Sequence, residues 1–522
     1  MTQSDYLFDP SRFAGRSVLK PWTAPGMLGR TVARCSARPA VIDGAVRLDW
    51  AEAGARANAF AAALQSRGIG KGDVVALYLP NSWEFPIAHW GIALAGAVTF
   101  PQHVPYREAE LRAFLGHARA KAIVGGADAA ARMTSLRADL PELQTVVVTG
   151  GASEDALGFE DLLGEFEGRT PAPVQLDPDD PYVLFSTSGT ESLRPKVCMH
   201  GHAGFLSNAA EVASAAGVTE RDVILSLSGF THAFGIIAVH FAALHGASLV
   251  CQPRYEPTEF LRLVAGERVT MAWAVAAQLA DITRAARERG VAGFATLREV
   301  RTGGAPISPA LARDVRATLC GNFIIQWGMS EIGCGLVTRY GDPPEATATL
   351  GRPLDGGEIA FADGELLYRR ACMFRGYYRD PATTQAALTS DGWMRTGDLA
   401  SLDAGGRVVY RGRSKDVINR GGMKVSAFEL EALLATMPAI RQLAVVGTPD
   451  ERLGDRACLV CSLHDGATLE LDDVTAFLAE RDVAKYKWPE MLLVLDRLPA
   501  TPTGKVAKQA VRELVAARAV NA

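Results

Sequence analysis

From about residue 70 onward, short apolar runs alternate with longer stretches of helical periodicity. This alternation restricts the fold more than any other feature of the sequence. "DVVALYL" (73–79) reads as a strand, "WEFPIAHWGIALAG" (83–96) as a helix and "AVTFP" (97–101) as a strand. "REAELRAFLGHA" (107–118) then reads as a helix and "KAIVG" (121–125) as a strand. Strand and helix alternating in this way predict α/β architecture with parallel sheets. The pattern restarts after the polar, proline-rich "RTPAPVQLDPDDP" (169–181), with further strands predicted at 223–228, 247–252, 269–274 and 297–304. Between about 350 and 412 the texture changes to short alternating pieces with Gly-Asp turns, which predict antiparallel strands. From about 416 a compact α+β segment follows, with a helix near "SAFELEALLATM" and strands at "LAVVGT" and "RACLVCSL". The candidate hinge is "GRSKD" (412–416), where the glycine-rich β texture ends.

Composition removes several classes of function. The 522 residues carry a formal net charge of −4 and no basic block, so nucleic acid is not the expected partner. The N-terminal "MTQSDYLFDPSRF" has no basic segment followed by an apolar run and does not read as a secretory signal. The longest apolar stretch, "IALAGAVTF" (92–100), is too short to span a bilayer. A cytoplasmic location is expected. Eight cysteines are scattered along the chain, and Cys458 and Cys461 alone form a C-x-x-C. They sit in a predicted strand without a second ligand pair, so buried thiols are expected there rather than a zinc or redox site.

Four stretches carry candidate chemistry. The first is "LFSTSGTESLRPKVCMH" (184–200), where hydroxyls and glycine crowd Ser186 to Thr190 and a lysine follows at Lys196. Successive backbone N–H groups in a small-residue turn form an anion site, hydroxyls add donors and the lysine adds charge, so polyphosphate is the natural guest. A flexible surface linker would have a similar composition. The loop follows a predicted strand (182–185), where α/β proteins place ligands. Neither G-x-x-x-x-G-K-[ST] nor G-x-G-x-x-G occurs. The second stretch, "IIQWGMSEIG" (324–333), offers Trp327 for stacking on a base and Glu331 for Mg²⁺ beside a polyphosphate. The third, 393–431, places Asp398 in a Thr-Gly-Asp turn, where it could accept from a ribose diol, and Arg413 fifteen residues on. The fourth, "LPATPTGKVAKQAVREL" (498–514), sets Lys505 just before a C-terminal helix. Taken singly, the last three read more simply as a core tryptophan with a solvated carboxylate, a turn aspartate with a surface arginine, and a solvated lysine.

Together, in this order and at these separations, they resemble the adenylate-forming superfamily: acyl- and aryl-CoA synthetases, luciferases and nonribosomal peptide synthetase adenylation domains. The resemblance runs from about residue 25 to 515. The family's T-S-G-T-T-G-x-P-K-G loop is similar to Thr187-Ser188-Gly189-Thr190-Glu191-Ser192-Leu193-Arg194-Pro195-Lys196-Val197, which is one residue longer. Its Glu-Ser variant looks like that of synthetases for alicyclic and medium-chain acids, such as cyclohexanecarboxylate. The family's Y-G-x-T-E corresponds to Trp327-Gly328-Met329-Ser330-Glu331, its T-G-D to Thr396-Gly397-Asp398 and its hinge motif to Gly412-Arg413-Ser414-Lys415-Asp416. Its terminal S-G-K-x-x-R becomes Thr503-Gly504-Lys505-Val506-Ala507-Lys508.

The resemblance implies an N-terminal adenylation domain over 1–412, with two doubly wound α/β subdomains and a small distorted β-barrel. A mobile α+β C-terminal domain over 413–522 would turn about Lys415. It implies an ATP-dependent acid–CoA ligase with ATP, Mg²⁺ and coenzyme A as cofactors. A carboxylic acid would become acyl-AMP with release of pyrophosphate, and CoA would then displace AMP. An acyl carrier protein is the alternative acceptor, a non-catalytic member of the fold the rival class, and a monomer or homodimer the expected assembly. Lys505, Glu331, Thr187 and Ser330 would be catalytic, with Glu331 on Mg²⁺. Ser188, Gly189, Thr190, Lys196, Gly303, Gly304, Ala305, Gln326, Trp327, Gly328, Asp398 and Arg413 would bind the nucleotide. His232, Phe234, Gly303, Met329 and Gly335 would line the acid pocket. Gly421, Gly422 and Lys424 would border the CoA tunnel after rotation about Lys415. His232 stands where amino-acid-activating members carry an Asp, so an aromatic, alicyclic or medium-chain acid is expected instead of an amino acid.

Overall fold

A computed structural model describes residues 22–187, 195–450, 452–500 and 506–519. The chain divides into two compact units, one of residues 1–358 and 368–394, the other of 359–367 and 395–522. Residues 395–412 thus pack with the C-terminal unit, whereas the sequence sets its domain boundary at 412/413. A packing division and a hinge are different quantities, and the hinge remains an expectation.

Among its described residues the larger unit is built on two mostly parallel sheets. In the first, the strands Phe323–Met329, Glu299–Gly303, Met271–Trp273, Val223–Ser226, Ser248–Val250 and Pro39–Asp43 run side by side in that order. The core of the second is Pro181–Ser186, Val98–Pro101, Val74–Tyr78, Ala122–Gly126 and Thr145–Thr149. Every residue of Val74–Tyr78 and Val98–Pro101 is buried. Strands covered on both faces need this continuous apolar texture, which is why they were legible as runs. Glu299–Gly303 is also wholly buried, and its two charges neutralise each other, Arg301 Nε donating to Glu299 Oε1 at 2.8 Å.

Two helices, Glu84–Leu94 and Ala233–His245, are buried along most of their length; the first packs on the second sheet and the second on the first. A helix apolar all round has no solvent face to offer. Their buried histidines are satisfied internally. His240 Nδ1 donates to the Ile236 carbonyl at 2.8 Å, so its Nε2 accepts from the Tyr182 hydroxyl at 2.8 Å. Tyr182 in turn accepts from His89 Nε2 at 2.7 Å, and His89 Nδ1 accepts from Thr99 Oγ1 at 2.9 Å. This chain ties both helices to the second sheet without an orphaned imidazole. The second helix ends at Gly246, φ +77°, where a Cβ would lie 2.4 Å from Cys35 Sγ.

The segment expected as a small barrel forms an antiparallel sheet of Glu358–Ala362, Glu365–Arg369, Met394–Leu402 and Val408–Arg413. The remainder of the smaller unit pairs Ile440–Asp450 with Gly454–Leu463 and packs the helices Ala427–Leu434, Leu471–Ala479 and Lys508–Ala519 around them. Cys458 and Cys461 lie three residues apart on one strand, so they face opposite sides. They belong to two separate core clusters, as free, buried thiols.

Candidate active site

In the larger unit the chemistry-bearing stretches follow the C-terminal ends of strands, where open α/β sheets bind ligands. Gly303 ends one strand and pairs with Gln326 on its neighbour. The 229–235 segment follows Val223–Ser226. Side chains from the second sheet lock onto these ends. Asn81, after Val74–Tyr78, donates to the carbonyls of Ser226 at 2.8 Å and Ser228 at 2.9 Å, and accepts from the Phe230 N–H at 2.7 Å. His200 Nε2 donates to the Ser330 carbonyl at 2.6 Å. One amide and one imidazole thus bring the strand ends of two sheets together.

The phosphate-loop candidate does not lead into a helix. Pro181–Ser186 returns antiparallel as Val197–Gly201, with Ser186 paired to Val197. The Thr187 N–H donates to the Lys196 carbonyl at 3.0 Å and closes the neck of the loop. Both ends of the loop are therefore fixed by a sheet. Ser188, Gly189 and Thr190 lie outside the described residues. So does Lys505.

Glu331 is 6% exposed. Its Oε1 accepts from the Tyr377 hydroxyl at 2.7 Å, and its backbone carbonyl accepts from the Phe374 N–H at 2.7 Å. The Lys196 ammonium lies 5.9 Å from the centre of the Tyr377 ring. The loop's terminal lysine and the expected metal carboxylate thus share one tyrosine. Ser330 stands beside Glu331 with its carbonyl held by His200.

At the expected acid and adenine positions, space is set by glycine. A Cβ on Gly303 would lie 2.5 Å from the Gln326 carbonyl oxygen and 3.6 Å from Phe234. A Cβ on Gly335 would lie 2.8 Å from the Trp327 indole, and one on Gly328 would collide with the Gly333 carbonyl. Gly304 adopts φ +81°, and Ala305 follows it. The Gln326 amide is itself held, accepting from Arg301 at 3.0 Å. Trp327 packs edge-on to Tyr368, and Met329 pairs with Gly333 on the return strand. His232 caps the helix Ala233–His245 and stacks on His103, ring centres 3.8 Å apart. His103 accepts or donates through Nδ1 to Thr231 Oγ1 at 3.0 Å, and its burial lowers its pKa to about 4. Gly303, Gln326 and Phe234 are one cluster, Trp327 and Gly335 another, and His232 with His103 a third.

In the smaller unit, Thr396-Gly397-Asp398 is not a turn but the interior of the strand Met394–Leu402, with Gly397 at φ +70°. The kink is held by Gly397 N–H donating to Glu365 at 3.0 Å and by Thr396 donating to the Leu366 carbonyl at 2.6 Å. It aims Asp398 at Arg413, whose Nε donates to Oδ1 at 3.0 Å. Lys415 is exposed within the short turn Ser414–Asp416. Asp416 pairs with Arg512 and stands 3.5 Å from Lys508, which pairs with Glu431 at 2.8 Å. Gly421 and Gly422, φ +58° and +82°, form the two-residue turn between Val417–Arg420 and Met423–Ser426. Positive φ at both positions is what such hairpins require. Lys424 is exposed beside that turn.

Among the described residues no three His, Cys, Asp or Glu side chains gather to hold a metal ion. A lone, nearly buried carboxylate is a donor set that fits Mg²⁺, which retains waters and binds through one or two carboxylates and substrate phosphates. Sequence reasoning missed Asn81, His103, His200 and Tyr377. No motif marks them, because each acts on a partner far away in the chain.

The family described as AMP-binding enzyme matches residues 28–378, and its C-terminal domain matches residues 429–505. The chain is 33% identical to a salicylyl-CoA synthase / salicylate adenylyltransferase from Streptomyces sp. over 92% of this chain and 91% of that one. It is 32% identical to a 3-[(3aS,4S,7aS)-7a-methyl-1,5-dioxo-octahydro-1H-inden-4-yl]propanoyl:CoA ligase from Rhodococcus jostii (strain RHA1), over 95% and 99%. In fold it is similar to the anthranilate CoA ligase AuaEII in complex with anthranoyl-AMP, with TM-score 0.85, 23% identity and full coverage of both chains. No helix among the described residues is long and apolar enough to cross a membrane.

Proposed function

The chain belongs to the adenylate-forming AMP-binding enzymes, as an ATP-dependent acid–CoA ligase, and on that premise we propose that its substrate is a compact ring-bearing or medium-chain acid without an amino group, activated in the cytoplasm. The observation that carries this reading is the stack of His232 on His103. Two imidazoles 3.8 Å apart cannot both hold a proton's charge at low cost, and burial already disfavours it on His103. This wall of the pocket carries no anion, because an imidazole is either neutral or cationic. It offers no counter-ion to an α-ammonium, whose desolvation is expensive. Phe234 beside Gly303 adds apolar surface. Both curated relatives named above are named for ring-bearing acids.

A free carboxylate is a poor acyl electrophile because its leaving group would be oxide. In the first half-reaction a carboxylate oxygen attacks the α-phosphorus of ATP and pyrophosphate leaves. In the second, the CoA thiolate attacks the acyl carbon and AMP leaves. Splitting one difficult step into two follows the logic of covalent activation. Charge builds on phosphate oxygens, so the protein acts by positioning and electrostatics. In this proposal Thr187, Ser188, Gly189, Thr190 and Lys196 cradle the outer phosphates, and Lys505 bridges the attacking carboxylate and the ribose-phosphate oxygen. Gly303, Gly304, Ala305, Gln326, Trp327 and Gly328 border the adenine, and Asp398 and Arg413 hold the ribose. Ser330 contacts phosphate. Glu331 would hold Mg²⁺, which when bound offsets phosphate charge. His232, Phe234, Met329 and Gly335 line the acid. Rotation about Lys415 then exchanges Lys505 for Gly421, Gly422 and Lys424.

The test is kcat/KM with ATP and CoA across benzoate, cyclohexanecarboxylate, octanoate, acetate and phenylalanine. The cyclic acids or octanoate are expected to lead, since apolar burial contributes about 25 cal/mol per Å². Acetate or phenylalanine at the top overturns the substrate reading. Faster transfer to a phosphopantetheinylated carrier than to CoA would reassign the acceptor.

A further inference from the structure

We propose that Tyr377 is a positioning residue for the metal carboxylate: its hydroxyl fixes Glu331, and its ring couples that carboxylate to Lys196. The inference rests on the reading of Glu331 as the Mg²⁺ ligand and adds a residue that no motif of the site contains.

The geometry is specific. Tyr377 is 8% exposed and Glu331 6%. A hydroxyl facing a carboxylate can only donate, and it does so to Oε1 at 2.7 Å. Tyr377 is itself held from three sides. Its N–H donates to Thr384 Oγ1 at 2.8 Å. Its strand, Gly376–Tyr377, pairs with the strand that leaves the phosphate loop, Tyr377 opposite Cys198. Its ring packs edge-on to Phe374, whose N–H holds the Glu331 carbonyl. Side chain and backbone of Glu331 are thus both fixed by the 374–377 segment.

A carboxylate that must meet a hard cation in octahedral geometry benefits from such orientation. Groups that orient a metal ligand typically matter 10- to 100-fold in metal affinity or activity, by order of magnitude. The ring contributes separately, because an ammonium over an aromatic face is attracted to it. Movement at Lys196, where the loop closes, therefore acts on the same tyrosine that orients Glu331.

The experiment measures Mn²⁺ affinity of the full-length enzyme with α,β-methylene-ATP by electron paramagnetic resonance, for wild type, Tyr377→Phe and Glu331→Gln. Tyr377→Phe keeps the ring, so its melting temperature is expected to stay close to wild type while Mn²⁺ affinity falls by about 10- to 100-fold. Unchanged affinity in folded Tyr377→Phe overturns the inference. If Glu331→Gln also leaves affinity unchanged, the metal reading fails with it; if only Glu331→Gln weakens binding, the metal reading stands and the role of Tyr377 fails. Should Tyr377→Phe not fold, 3-fluorotyrosine at 377 replaces it. Its ¹⁹F resonance is expected to shift when Mg²⁺ is added to the nucleotide complex, and no shift overturns the inference.

Discussion

Asp398 and Arg413 stand opposite each other on paired antiparallel strands, and the guanidinium Nε donates to the carboxylate Oδ1 at 3.0 Å. The carboxylate side chain is 7% exposed and the guanidinium 48%. A nearly buried acceptor is thus presented with a half-exposed donor beside it. That pairing suits a ribose, whose diol can donate to the acid and whose ring oxygen or phosphate can accept from the base.

Asp398→Ala is expected to raise the KM for ATP by about 10- to 100-fold, since hydrogen bonds to charged groups contribute about 1.5–3 kcal/mol. The KM for the acid should stay within a factor of two or so, because uniform nucleotide binding is what is lost. An equal rise in both constants would place Asp398 outside the ribose site.

Gly303→Ala should impair adenylation together with stability. The new Cβ would lie 2.5 Å from the Gln326 carbonyl oxygen, a backbone atom that cannot swing away. Overpacking of this kind costs about 1–3 kcal/mol. Calorimetry and acid-dependent pyrophosphate release check it, and wild-type values in both would refute the close approach.

Lys505→Ala and Lys415→Pro should damage opposite half-reactions. The first removes the charge assigned above to adenylation and should slow that step by about 10²–10³. The second fixes φ near −65° and should block transfer to CoA while adenylation persists. Supplying pre-made acyl-AMP with CoA separates the two steps. Equal losses in both steps, for either variant, would remove its assigned role.

The larger unit should lose stability as pH falls from about 6.5. His200, His202 and His240, together with His103, have pKa values lowered to about 4 by burial, and His89 is pushed down well below 6.5. In the unfolded chain each protonates near pH 6.5, so between about 4 and 6.5 the unfolded state binds more protons. Stability therefore falls with falling pH across that window, by about 1.4 kcal/mol per unit for each such histidine. Urea midpoints measured from pH 7.5 to 5 should decline steeply, and a flat profile would mean these rings open to water without unfolding.

By itself the sequence determined what is local. Strands such as Val74–Tyr78 and Glu299–Gly303 were legible because burial on both faces demands continuous runs, and the order of motifs pointed to one family. Their boundaries agree with the structure to within a few residues, because side-chain periodicity is a property of neighbours. The tertiary structure decided everything that depends on distant partners. It turned the phosphate loop into a hairpin neck between Thr187 and Lys196, and it placed Thr396-Gly397-Asp398 inside a strand rather than at a turn. Asn81 clamps carbonyls some 145 positions away, and Tyr377 reaches Glu331 across 46. Hydrogen bonds and buried polar pairs are satisfied by whichever group the fold delivers, and a one-dimensional pattern carries no record of that delivery.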